Sequence, residues 1–220
     1  MKNNKEYFKN GEADEWFKRN KKNLELNFKE DTVELLSDWL KPFKSQISNI
    51  LEIGCGSGHR LFQISQNLTA NGYGIEPSAD AIKYIKNKFP SLEVKKAFGD
   101  CVPYEQKFDL VHLGFFLYLV DREFYLRCIS EADRLLNFGG FLSIIDFETP
   151  FPYANEYSHQ NGVYSYKMNN SSVFEASGLY TIVNKFQFSH QNSFFDKSIN
   201  ERISLTLLYK ETDLFKKNKN

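Results

Sequence analysis

Gly54, Gly56 and Gly58 stand at alternate positions directly after the short apolar run Ser48-Asn-Ile-Leu-Glu-Ile53. A residue without Cβ turns tightly and lets a ligand approach the backbone closely. Glycines between a strand and a helix therefore present backbone amides, at a helix N-terminus, to a polar group. Two acids follow at useful places. Glu76 ends the next apolar stretch, where a doubly wound fold sets a carboxylate that accepts both hydroxyl protons of a ribose. Asp100 comes after the third stretch, in Phe98-Gly-Asp-Cys101, at the level of an adenine ring. Taken singly, the loop also fits a purely structural turn and each acid an ordinary loop carboxylate. The nicotinamide and flavin spacing G-x-G-x-x-G/A fails, because its third small position, counted from Gly54, falls on His59.

The elements that position these residues follow from periodicity. Residues from about Lys5 to Pro42 read as helical, with Trp16, Phe17, Leu24, Leu26, Phe28, Val33, Leu35, Leu36, Trp39 and Leu40 spaced among charged neighbours. Beyond them, strands and helices alternate. Strands are expected at 48–53, 72–75, 92–97, 108–113 and 140–147, and helices at 59–67, 78–88 (opened by a Ser78 N-cap) and 122–136. This order predicts an α/β, doubly wound, Rossmann-like parallel sheet with helices on both faces. After the break at Thr149-Pro-Phe-Pro152 comes an irregular Tyr-rich stretch. Two β-rich runs, 180–189 and 202–209, then predict an antiparallel hairpin on the sheet edge, and the KKNKN end is expected to fray. The organisation predicted is one domain over 1–220: a helical cap over 1–45, a core over 46–147, and a lid with closing hairpin over 148–220.

The ordered set Glu52-x-Gly-x-Gly-x-Gly58, Glu76 and Asp100 resembles the signature of the class I S-adenosylmethionine-dependent methyltransferases. Phe108-Asp-Leu-Val111 and Asn137-Phe-Gly-Gly140 look like that family's fourth-strand motif and the glycine turn before its fifth strand. The resemblance runs from about Asn49 to Phe147, and more loosely to Tyr209. It implies a seven-stranded sheet closed by a hairpin, with S-adenosyl-L-methionine as cofactor at the carboxyl ends of the first strands. Glu52, Gly54, Cys55, Gly56 and Gly58 would line its methionine and ribose portion, and Glu76 would hold the ribose diol. Pro77 would pack on adenine, Asp100 would meet the exocyclic amine with Cys101 adjacent, and Leu113 and Gly114 would contact the methionine moiety. Glu15-Trp-Phe-Lys-Arg-Asn20 looks like a segment capping the cofactor, Trp16 shielding the site and Arg19 pairing with the carboxylate; an amphipathic helix with a snorkelling arginine is the alternative.

Methyl transfer needs mainly orientation, exclusion of water and sometimes proton removal. Family members often carry a histidine after the fourth strand, whereas this chain reads Gly114-Phe-Phe-Leu-Tyr-Leu-Val-Asp121. Tyr118 stands near that position as a candidate to orient the acceptor, and a packed tyrosine is the alternative. Tyr157, His159, Tyr166 and Lys167, with Arg122 and Asp146, are the other candidates to face the acceptor. His159 would take a proton, and Lys167 or Arg122 would hold an anionic group. The last third is also similar to methyltransferases of bacterial surface-polysaccharide and modified-sugar pathways. That similarity implies a sugar, a nucleotide-linked sugar or a phosphorylated metabolite methylated on oxygen or nitrogen.

Composition narrows the partners. Lys plus Arg and Asp plus Glu are both 28, so there is no net charge to gather nucleic acid or anionic membrane, and a small-molecule acceptor is expected. The polar N-terminus and the absence of a long apolar run predict a cytoplasmic protein without membrane attachment. Three cysteines in no metal-like spacing predict neither disulfides nor a metal site. An RNA or protein methyltransferase and a non-catalytic scaffold that binds S-adenosylmethionine remain the alternatives.

Overall fold

The first apolar run forms β1 (Asn49–Ile53), buried at every position after Asn49. Ile50, Leu51 and Ile53 are apolar because helices cover both sheet faces, and Glu52 is the buried exception. A computed structural model describes residues 3–26, 31–189, 191 and 194–213. After β1 come α4 (His59–Leu68), β2 (Asn71–Glu76), α5 (Ala79–Lys88), β3 (Glu93–Lys96), β4 (Phe108–Gly114), α6 (Arg122–Leu135) and β5 (Leu136–Phe147). The chain ends in β8 (Tyr180–Ser189) and β9 (Arg202–Lys210). The sheet order is β3-β2-β1-β4-β5-β9-β8: β1 to β5 are parallel, and β9 is antiparallel to both β5 and β8. This is the predicted seven-stranded, doubly wound architecture with its closing hairpin.

Two apolar layers hold it. Ile50, Leu110, Phe141 and Leu207 face Leu61, Ile64 and Ile85 of α4 and α5, with Leu36 and Leu40 of α3 (Asp31–Leu40). Leu51, Val111, Leu142 and Leu208 face Tyr125, Cys128 and Leu135 of α6. Ser78 caps α5 as expected, its hydroxyl accepting from the Ala81 N–H at 3.0 Å. No helix among the described residues is long and apolar enough to cross a membrane.

Three local expectations change. The stretch from Lys5 to Pro42 is not one helix: α1 (Asn4–Tyr7) and α2 (Ala13–Leu26) are separated by non-helical backbone at Asn10 and Gly11, and a 3₁₀ segment follows α3 at Lys41–Gln46. The Tyr-rich stretch is a second, two-stranded sheet of β6 (Tyr153–Glu156) and β7 (Tyr164–Lys167), which period-2 reasoning missed because its strands have only four residues each. A short α7 (Ser171–Ala176) precedes β8. Phe28 and the KKNKN end lie outside the described residues, as do the side chains of Leu24 and Leu26.

Gly58 joins the loop to this frame. It precedes α4 at φ +74°, and an added Cβ would lie 2.9 Å from Ile85 Cγ1. Gly58→Ala is expected to lower unfolding free energy by about 2–4 kcal/mol, combining left-handed backbone cost with overpacking. Gly178→Ala, also at positive φ but with open space around it, is expected to lose only about 1–2 kcal/mol. Urea unfolding of both variants measures the difference.

Candidate active site

β1 runs between β2 and β4, and the chain leaves β1 toward α4 and β4 toward α6 on opposite faces of the sheet, so a crevice opens at the carboxyl ends. A cavity of about 390 Å³ lies there. Of the residues singled out from sequence, Trp16, Gly54, Cys55, Gly56, Glu76, Pro77, Asp100, Gly114, Tyr118, Tyr157 and His159 line it together. Gly56, at φ +53°, lies under the Trp16 ring: a Cβ there would be 3.7 Å from the indole and would occupy the space between loop and ring. Trp16 donates its indole N–H to the Tyr118 hydroxyl.

Glu76 ends β2 with its carboxylate at the cavity wall. Its Oε2 accepts from the Gly56 N–H and its Oε1 from the Ser78 N–H, each at 2.9 Å. Burial nevertheless pushes its pKa up to about 7, the two backbone bonds opposing the shift. Each oxygen keeps lone-pair capacity, so a ligand with two adjacent hydroxyl donors and positive charge suits this carboxylate. Gly56 beneath the indole, the buried Glu76 and the Asp100 carboxylate thus fit the ribose, adenine and sulfonium groups of S-adenosylmethionine. Burial also raises the Tyr118 pKa, so this phenol stays protonated at neutral pH. Phe115 lines the cavity at φ +50°, a left-handed backbone that non-glycine residues rarely adopt.

Other candidates are placed elsewhere. Glu52 is fully buried and pairs at 3.2 Å with Arg60, which does line the cavity. Leu113 is core, Cys101 is exposed, and Gly58 serves helix packing. Arg19 pairs with Glu12 and hydrogen-bonds Tyr157, tying α2 to the second sheet rather than reaching into the cavity. Arg122 is likewise spent on the scaffold: Nη2 donates to the Leu117 and Val120 carbonyls at 2.8 and 2.5 Å, and the guanidinium lies 4.3 Å from the Tyr125 ring and 4.5 Å from that of Tyr166. Tyr166 is thereby a packing partner. Lys167 donates to the Asn200 carbonyl at 2.6 Å and sits 3.9 Å from the Phe147 ring, and its burial lowers its pKa. Asp146 accepts from the Tyr118 and Phe147 N–H groups at 3.1 and 2.8 Å, and from that of Leu117, fixing the turn that carries Tyr118. None of these nine lines the cavity.

Sequence reasoning expected a cap with Trp16 but missed its other lining residues. Asn4, Lys5 and Phe8 line the cavity from α1 and the turn after it, and Phe98, Phe116, Leu119, Asp121 and Phe124 line its far end. Asp121 precedes α6 yet caps α1, its two oxygens accepting from the Asn4 and Lys5 N–H groups at 2.9 and 2.8 Å. Asn4 donates to the Leu119 and Tyr164 carbonyls and accepts from the Tyr164 N–H. Asp14 accepts from the Ser78 hydroxyl at 2.6 Å, holding α2 beside Glu76. No local spacing announces such contacts, which span 64 to 160 residues. Among the described residues, no group of His, Cys, Asp and Glu is arranged to hold a metal ion.

Residues 50–140 match a family model described as a methyltransferase domain. Over those residues the chain is similar to methyltransferase domains. It is 29% identical over 107 residues to a ubiquinone/menaquinone biosynthesis C-methyltransferase, UbiE, of Campylobacter jejuni, a match covering 44% of each chain. The matched part thus spans less than half the length of that curated relative. Among solved structures, 1,6-didemethyltoxoflavin-N1-methyltransferase of Burkholderia thailandensis superposes with a TM-score of 0.67 at 12% identity, over 91% of this chain and 87% of that one. A TehB-like S-adenosylmethionine-dependent methyltransferase of Corynebacterium glutamicum gives 0.62 at 16% identity, over 91% and 99%. At these identities the structural likeness establishes fold.

Asp146 carries this site's structural prediction. Asp146→Ala leaves up to three amides of the turn and of Phe147 without their acceptor, and is expected to lower unfolding free energy by about 2–4 kcal/mol. Denaturant unfolding checks the loss.

Proposed function

We propose that the chain transfers a methyl group from S-adenosylmethionine to a hydroxyl or amine of a small-molecule acceptor. The observation that carries this is the buried Glu76 carboxylate held by the Gly56 amide at the mouth of the glycine loop, under Trp16. When bound, the cofactor supplies an electrophilic methyl group on a sulfonium sulfur. Glu76 accepts from the ribose hydroxyls, the Gly54–Gly56 backbone and Gly114 border the methionine portion, and Pro77 and Asp100 take the adenine end. Trp16 and Phe8 cover the cavity and exclude water. Tyr118, fixed by Trp16 and Asp146, orients the acceptor. His159, exposed at the cavity and edge-on to Tyr157 at 5.3 Å, would take the proton that the acceptor's hydroxyl or amine loses on methylation.

A small acceptor is favoured by the roof, which the N-terminal helices and the second sheet close from two sides. The substrate of the Burkholderia methyltransferase is itself a small molecule. Arg122 and Lys167, on which a phosphorylated acceptor depended, are engaged in the scaffold, and the cavity cations Lys5 and Arg60 both face carboxylates. An uncharged hydroxyl or amine bearer, such as a sugar, is therefore the acceptor class retained. The organisation proposed is a cap over 1–45, a core over 46–147, and a lid with hairpin over 148–220.

Isothermal titration is expected to show binding of S-adenosylhomocysteine and none of NAD(H), and labelled S-adenosylmethionine is expected to pass its methyl group to a member of a panel of sugars and amines. Tight NAD(H) binding without S-adenosylhomocysteine binding would overturn the proposal. The Glu76 pKa near 7 sets a further outcome. The ionised carboxylate is the form that accepts ribose hydroxyls, so below pH 7 binding must first expel a proton. Affinity should rise by up to about tenfold per pH unit between pH 5.5 and 7, then level off. Glu76→Gln should bind more weakly and flatten that slope; an unchanged slope excludes Glu76 from the ribose site.

A further inference from the structure

The far end of the cavity holds an ion pair that joins the roof to the floor. The Lys5 ammonium lies 2.5 Å from Asp100 Oδ2, and the Asp100 side chain is only 7% exposed. The same ammonium faces the Phe124 ring at 4.4 Å and the Phe98 ring at 5.4 Å, and all four residues line the cavity. Lys5 is held in place by its own backbone, whose N–H donates to Asp121, and by its neighbour Asn4, clasped to Leu119 and Tyr164. The backbone N–H next to Asp100, that of Cys101, is turned to the Phe98 carbonyl at 3.1 Å. The polar edge presented here is therefore an acceptor, Asp100, beside an ammonium with three donors, of which Asp100 takes one.

An acceptor beside a donor complements the edge of a 6-aminopurine, whose exocyclic amine donates and whose adjacent ring nitrogen accepts. A 6-oxopurine reverses both roles. We propose that Lys5 is a specificity-determining residue that donates to the ring nitrogen next to the amine of the cofactor's adenine while Asp100 accepts from the amine. The proposal rests on the methyltransferase reading above. It gives α1 a part in ligand recognition as well as in roofing, and it makes closure of the roof depend on which base is bound.

The test is a titration cycle using S-adenosylhomocysteine and its 1-deaza analogue, in which carbon replaces that ring nitrogen. Wild-type protein should bind the analogue about tenfold more weakly, the cost of one hydrogen bond to a charged donor. Lys5→Met should bind S-adenosylhomocysteine about tenfold more weakly than wild type and should no longer distinguish the two ligands. Because Lys5→Met leaves Asp100 without its cation, Lys5→Met/Asp100→Asn provides a second background, in which discrimination should again be absent. Equal binding of the two ligands by wild type, or undiminished discrimination in either variant, would overturn the assignment and leave Lys5 as a clamp on α1. Failure of wild type to bind S-adenosylhomocysteine at all would instead bring down the methyltransferase proposal itself, so the two failures are told apart.

Discussion

The parallel pairing of β1 with β2 on one side and β4 on the other shapes the rest of the molecule. The crossover through α4 from β1 to β2 covers one face of the sheet and the crossover through α6 from β4 to β5 covers the other, so the connections part where β1 and β4 end. The gap leaves the Gly54–Gly58 loop, the end of β2 and the end of β4 facing one volume. Each strand therefore delivers its last residue to that volume: Glu76 from β2 and Gly114 from β4. Apolar packing on both faces holds these ends in place, as a loop-built site could not.

Within that frame, two buried carboxyl groups are pushed up to about 7 by the same physical cause and used differently. Asp146 has its acceptor capacity taken by three backbone N–H groups and holds a turn. Glu76 has two such partners and retains capacity on the cavity side. Desolvation alone does not set what a buried acid can still accept; the number and direction of the donors already present does.

Besides the packing of Phe17 on Tyr84, the roof is stitched by polar contacts from the first twenty residues to distant parts of the chain. Asn4, Lys5 and Asp14 reach Tyr164, Asp121, Asp100 and Ser78. Such contacts are individually worth about 0.5–3 kcal/mol, so the roof draws its order from many of them at once. The break at Asn10 and Gly11 lets α1 turn down onto the cavity while α2 continues along its rim.

The sequence by itself determined the sheet, the helices around it and several residues that line the cavity at the strand ends. The reason is that these depend on local patterns: an apolar run closed by glycines, an N-cap serine, acids at the ends of successive strands. Glu76 and Asp100 were legible for that reason. Roles that depend on what a side chain meets across the fold were not. Arg122 at a helix start and Lys167 in a lid-like stretch are cations free for an acceptor by sequence, yet they satisfy backbone carbonyls because folding buries them beside those acceptors. Lys5 is one of many lysines in a charged leader, and only tertiary structure sets it against Asp100. A side chain's chemistry is written in its type, but its partner is chosen by which elements the fold brings within about 3 Å of it, and that choice was made by the tertiary structure alone.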